Sequence, residues 1–296
     1  MPIDPKPCFV AFVDLLGYSA RVRAVETREN VEEIARDVRK VLEFFGHNRT
    51  DDAGIQYHEA VGKKVLAFSD CVVVSVSYVS DFMKSGGTFD APMSELHSLA
   101  LNQAECVMNG IFLRGGVGFG YWANEDNLIV SDAMVTAYEV ENRACVPVIA
   151  VDLDYGDSLA EQGDRRFYSD SADPFLKLFQ KAEIGDDQTP IWFLNYFWVL
   201  LDALDGALND TEKADYKGAS SERRNELRST AYWRAHRECC QKHARLIRDA
   251  HEATKVESIR YKYAWLARYH GKVVREYYAE PSPELLCDDI ALPTYA

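Results

Sequence analysis

Two aspartates, each set at the edge of an apolar, strand-like run, restrict this chain more than any other feature. Asp14 ends the run Phe9-Val10-Ala11-Phe12-Val13 and leads into Leu15-Leu16-Gly17-Tyr18-Ser19. Asp70 lies between Val65-Leu66-Ala67-Phe68-Ser69 and Cys71-Val72-Val73-Val74. A carboxylate among β-type apolar residues is costly to bury unless a positive group meets it. Two of them in such settings point to one divalent-metal site assembled from neighbouring strands, of the kind that holds ions roughly 3.5–4 Å apart.

The remaining pattern supplies a scaffold for that site. A strand over 8–13 precedes a helix whose apolar residues Val31, Ile34, Ala35, Val38, Val41, Leu42 and Phe45 recur at helical spacing. Runs at 64–68 and 71–78 read as a β-hairpin turning at Ser69-Asp70. A loop over 86–92 leads to a second helical stripe at Leu96, Leu99, Ala100, Ala104, Val107 and Met108. A glycine-rich strand over 113–120, a turn over 121–127, a helix over 133–141 and a strand over 146–151 follow, with a late strand at 191–198. The order is that of an α+β fold with a ferredoxin-like βαββαβ core. Beyond 202 the sequence turns charged and helical, over 221–253 and 255–278, and Pro281 and Pro283 end the second helix. We expect residues 1–201 to form the catalytic-type domain and 202–296 a C-terminal helical hairpin. His236, His243, His251 and His270 are spread along these helices without compact metal spacing, and solvated or capping roles are expected for them.

Composition narrows the class. A net charge of −14 argues against a nucleic-acid partner. The longest apolar stretch, 191–201, is broken by Asn195 and too short to span a bilayer. Seven cysteines without paired spacing fit a reducing compartment, and the N-terminus lacks a signal-peptide pattern. A cytoplasmic protein without membrane attachment is expected.

The motifs around the aspartates resemble those of class III nucleotidyl cyclases. Phe12-Val13-Asp14-Leu15-Leu16-Gly17-Tyr18-Ser19 is similar to the family's Phe-x-Asp-Ile-x-Gly-Phe-Thr, and Phe68-Ser69-Asp70-Cys71 to its Leu-Gly-Asp-Cys. The run from Leu113-Arg114-Gly115 to Gly120 resembles its Arg-x-Gly-Ile-x-x-Gly strand. The segment from Ser131-Asp132 to Glu141 resembles its Gly-Asp-x-Val-Asn-x-Ala-x-Arg-x-Glu helix. The four matches occur in family order across residues 8 to 155. The resemblance implies that Asp14, Asp70 and the Leu15 carbonyl hold two Mn²⁺ or Mg²⁺ ions. It also implies that Phe12, Leu16, Gly17 and Tyr18 meet the nucleotide, that Arg114 contacts the phosphates, and that a homodimer carries its sites at the interface. The turn at 16–19 is expected to offer backbone amides at a helix start.

Departures from the family pattern refine the substrate. Leu66 and Leu128 stand where purine cyclases place polar base-reading residues, and leucine cannot hydrogen-bond a base edge. With its lone cyclase domain followed by helices, the chain resembles the pyrimidine cyclases of the bacterial Pycsar antiphage system. That implies UTP, or alternatively CTP, as substrate, and a separate effector that reads the cyclic nucleotide. Lys64 and Tyr57, placed on the strand approaching Asp70, are candidates to fill the pocket or contact the nucleotide. Val135 and Glu139 replace the family's transition-state Asn and Arg. Arg143, Lys177 and Lys181 are the alternative cations. A purine cyclase with other base contacts, and a non-catalytic nucleotide-binding regulator, are the competing readings.

Overall fold

The structure is a computed structural model and describes residues 4–46, 52–125, 128–184 and 190–291. It forms two compact units, Met1–Tyr196 and Phe197–Ala296. The first opens with β1 (Lys6–Leu15), α1 (Tyr18–Arg23), α2 (Arg28–Phe44) and α3 (Asp52–Val61). The hairpin β2 (Lys63–Phe68) and β3 (Cys71–Ser77) follows, then α4 (Asp81–Gly86) and α5 (Asp90–Met108). Next come β4 (Leu113–Glu125), β5 (Leu128–Ser131), α6 (Asp132–Ala144), β6 (Ile149–Val151) and α7 (Leu153–Ala160). The unit closes with α8 (Pro174–Leu178), β7 (Phe179–Glu183) and β8 (Pro190–Leu194).

The fold is α+β. Its sheet runs β2-β3-β1-β4-β6-β8-β7, with β5 paired to β4. Strands β2, β3, β1 and β4 pair antiparallel to one another in that order, and β3 separates β1 from β2. This is the split βαβ arrangement of a ferredoxin-like core. Among the described residues, only β4 and β6 pair in parallel.

One face of β1 carries Phe9, Ala11, Val13 and Leu15, all buried, beside Val72, Val74 and Val76 of β3. Alternate residues of the strand point to the opposite face. There Gly116, Gly118 and Gly120 clear a path for α6. A Cβ at Gly116 would stand 2.0 Å from the Ala137 carbonyl oxygen, and one at Gly118 2.5 Å from that of Ala133. The glycine-rich pattern of this strand is therefore a packing requirement, since α6 lies directly on its backbone. Cys8, Val10, Val73, Trp122 and Ala133 form a core on this side.

Several boundaries differ from the sequence expectation. Tyr57 lies on helix α3, not on the strand entering the hairpin, because that strand begins only at Lys63. Residues 81–86 and 90–108 are helical, which leaves little of the expected 86–92 loop. Strand β4 continues to Glu125 and pairs with β5, so residues 121–125 of the expected 121–127 turn are strand, and 126 and 127 lie outside the described residues. The late strand is a hairpin, β7 with β8, and the chain turns helical from Tyr196.

The second unit is helical. After α9 (Tyr196–Asp202) and α10 (Asp210–Gly218) it consists of two long helices, α11 (Ser221–Ala253) and α12 (Glu257–Tyr277), packed on one another. His236, His243 and His270 are fully buried, against the expectation of solvated positions. His236 and His243 fall in step with Leu227, Cys240, Ala244 and Ile247 on the inner face of α11. Among the described residues no helix is long and apolar enough to cross a membrane.

Candidate metal and nucleotide site

Strand register brings the two aspartates together. Asp14 pairs with Arg114 across β1 and β4, and Phe68 pairs with Cys71 at the hairpin end. The last β1–β3 pair is Val13 with Val72, so Asp14 and Cys71 stand one position beyond it. Ligand atoms of Asp14, Asp70 and Cys71 all lie within 4.8 Å of one another. Ser69 turns the hairpin with a left-handed φ of 57°, and its hydroxyl donates to the Tyr18 hydroxyl oxygen at 3.2 Å. The loop after Asp14 is thus tied to the turn that presents Asp70.

Arg114 donates from Nε and Nη2 to the same oxygen of Asp14, Oδ2, at 3.2 and 2.8 Å. Glu141 of α6, 1% exposed, places Oε1 2.6 Å from that Nε. Asp14 Oδ1 is buried and has no hydrogen-bond donor among the described residues. Burial pushes the Asp14 carboxyl above its ordinary pKa, Arg114 opposes the rise, and the neighbouring Asp70 adds to it. Burial and the charges of Asp70 and Asp14 also push the Cys71 thiol up to about 12, so it stands as a neutral S–H.

These residues fit a divalent cation. A carboxylate with a buried, donorless oxygen, close beside a second carboxylate, is stabilised by a positive ion held between the two residues. Carboxylate oxygens are the donors that Mg²⁺ and Mn²⁺ take.

The other sequence candidates are placed as follows. Phe12 shares the Asp14 face and meets Tyr138 of α6 edge-on, with ring centres 5.6 Å apart. Leu66 packs against the Cys8–Val10–Val73 cluster, and Leu128 is 54% exposed on β5. Lys64 lines a cleft of about 870 Å³ with Lys6, Ser75, Ser77, Trp122 and Asn124. It pairs with Ser75 beside Val10, four residues or roughly 13 Å along the strand from Asp14. Tyr57 is directed elsewhere: its hydroxyl donates to Glu95, which also pairs with Lys63. The Leu16 amide is already bonded to the Phe112 carbonyl, at 2.9 Å. Gly17 caps α1 with φ 79°, and that helix is only six residues long. The turn therefore offers fewer amides to an anion than the sequence implied.

Arg143, Val135 and Glu139 are exposed on α6. Lys181 pairs with Asp157 at 3.4 Å and sits over the Trp192 ring, so it is engaged away from the aspartates. Sequence reasoning gave Glu141 no role. Its signal was the glutamate that ends the fourth motif, one helical turn past Ala137.

No protein-family model matches the sequence, and no curated protein matches it. Among solved structures the chain is similar to the adenylyl cyclase CyaB from P. aeruginosa, at 12% identity over 66% of this chain and 96% of that one, with a TM-score of 0.43. It is similar to the guanylyl cyclase domain of a RhoGC fusion protein from the aquatic fungus Blastocladiella emersonii, at 14% identity over 66% and 98%, with a TM-score of 0.38. It is also similar to an adenylate/guanylate cyclase/hydrolase from Silicibacter pomeroyi, at 15% identity over 65% and 98%, with a TM-score of 0.38.

Proposed function

We propose that the chain is a metal-dependent nucleotidyl cyclase that converts UTP to 3′,5′-cyclic UMP and pyrophosphate, as the second-messenger synthase of an antiphage system. The observation that carries this reading is the Asp14–Asp70 pair, with its donorless Oδ1, at the end of a strand whose motifs resemble class III cyclases. Asp14, Asp70 and the Leu15 carbonyl would hold two Mn²⁺ or Mg²⁺ ions, which supply a more acidic ribose 3′-hydroxyl and neutralise triphosphate charge.

Along this face the chain's own residues orient the nucleotide. With the triphosphate at the aspartates, ribose and base extend past Phe12 toward Leu66 and Lys64. Apolar Leu66 and exposed Leu128 leave the purine-reading positions without hydrogen-bonding groups, which favours a pyrimidine. In the reaction the 3′-oxygen bonds to the α-phosphorus, and the bond from that phosphorus to the bridging oxygen breaks. The hydroxyl proton leaves to solvent and pyrophosphate departs. A second copy of the chain is proposed to complete the site over α6, where Val135 and Tyr138 are more than half exposed. Arg143 on that helix is the candidate cation for the transition state.

One observation favours a non-catalytic nucleotide-binding regulator as second reading: Arg114, the best-placed cation, is held by Asp14 and Glu141. The two readings separate on incubation with Mn²⁺ and each ribonucleoside triphosphate in turn, with products identified by mass. Cyclic UMP supports the proposal, and cyclic CMP moves it to CTP. A cyclic purine nucleotide alone overturns pyrimidine specificity, and binding without any cyclic product favours the regulator.

A further inference from the structure

Glu141 is a buried carboxyl group beside the site with no task in the proposed reaction. It is buried at 1% exposure on α6, and it points at the guanidinium that holds Asp14. Arg114 Nε lies within reach of both acids, 3.2 Å from Asp14 Oδ2 and 2.6 Å from Glu141 Oε1, and its hydrogen bonds go to Asp14. Both Arg114 donors meet one oxygen, Oδ2, which leaves the buried Oδ1 without a donor on a residue whose ligand atom lies within 4.8 Å of those of Asp70 and Cys71. A guanidinium paired with Asp14 alone would cancel most of the charge that a cation at Oδ1 needs. Shared with Glu141, it neutralises less of Asp14 while still fixing the carboxylate's orientation.

We infer that Glu141 is a positioning residue which, through Arg114, keeps Asp14 oriented and sufficiently negative to bind a divalent cation. The inference rests on the metal reading above and adds a residue that never touches the ion. Arg114 is then a structural lever on the metal-binding carboxylate, which accounts for an ion pair that a phosphate-binding arginine alone would not require. The glycine stripe of β4 serves this arrangement. With Gly116 beneath Ala137 and the Glu141 amide, α6 sits low enough for a glutamate side chain to reach Arg114 from the helix.

The test is Mn²⁺ binding to the full-length protein without nucleotide, read by the electron paramagnetic resonance of free Mn²⁺. Wild type is expected to bind, and Glu141→Gln, which keeps the shape and removes the charge, to bind about tenfold more weakly. Glu141→Asp keeps the charge and is expected to recover most of that loss. In an Arg114→Gln background, adding Glu141→Gln is expected to change the affinity by no more than about twofold, since the effect runs through the arginine. Equal affinity of wild type and Glu141→Gln overturns the inference and leaves the metal site standing. So does full additivity of the two substitutions, or failure of Glu141→Asp to recover binding. Absence of Mn²⁺ binding by wild type overturns the metal reading and this inference with it.

Discussion

Tyr18 and Ser69 share a hydrogen bond, 3.2 Å between side-chain oxygens, that joins the loop after Asp14 to the turn before Asp70. It connects positions 51 residues apart in the chain, at the point where two separate strands bring the Asp14 and Asp70 carboxylates together.

Removing that tether with Tyr18→Phe is expected to loosen the Asp14–Asp70 spacing more than the fold. An exposed neutral hydrogen bond is worth about 1 kcal/mol, so the urea midpoint should move little. Mn²⁺ affinity should fall severalfold. Unchanged affinity would show that the two loops hold their spacing without the tether.

Close packing of α6 on β4 predicts a sharp contrast between glycines. Gly116→Ala places a methyl 2.0 Å from a helix carbonyl oxygen that cannot rotate away, and is expected to destabilise by about 3 kcal/mol. Gly163→Ala has nothing within 4 Å of its new Cβ and is expected to be neutral. Paired denaturation curves decide it, and equal midpoints would contradict the contact.

Glu95 is buried at 1% exposure with Lys63 at 3.3 Å, and it also accepts from Tyr57. Lys63→Met leaves a buried carboxylate without its cation, which is expected to cost about 3 kcal/mol. Lys63→Met combined with Glu95→Gln should restore most of that loss, and a double variant as unstable as the single would exclude the ion pair as the cause.

The second unit should be acid-sensitive. His243 and His270 place their Nδ1 atoms 2.8 Å apart, and His270 Nε2 is 2.7 Å from the Leu285 carbonyl oxygen. If His270 donates from Nε2 its Nδ1 must accept from His243, so the pair has room for one proton between the rings. Burial holds His270 down at about 4 and His243 well below its ordinary value. The unfolded chain therefore takes up protons first. Full stability is present above about pH 6.5 and is lost as pH falls toward 4, by about 3 kcal/mol for His270 alone. Urea midpoints across pH 7 to 4 check this, and a His270→Gln variant should show a shallower fall.

What the sequence disclosed followed local rules. The β2–β3 hairpin and both aspartates were legible because alternating β-branched residues and a two-residue turn encode themselves locally. Tyr57, expected on the strand approaching Asp70, lies on α3, and its hydroxyl meets Glu95, 38 residues away, a contact that local spacing does not announce. The buried histidines were hidden by their polarity, although His236 and His243 kept the spacing of the apolar stripe. The role of Glu141 was illegible for another reason. It depends on how closely α6 approaches the sheet, and that distance is set by glycines 21 to 25 residues earlier in the chain.

That approach has a mechanical consequence. Between most helices and sheets a layer of side chains can shear and absorb small movements. Under α6 the helix backbone rides on bare strand at Gly116 and Gly118, so the two elements move as one blade. Pressure on the outer surface of α6, at Val135 or Tyr138, would reach Glu141 almost undamped. From there it would pass along the Arg114 guanidinium to the carboxylate at the end of β1.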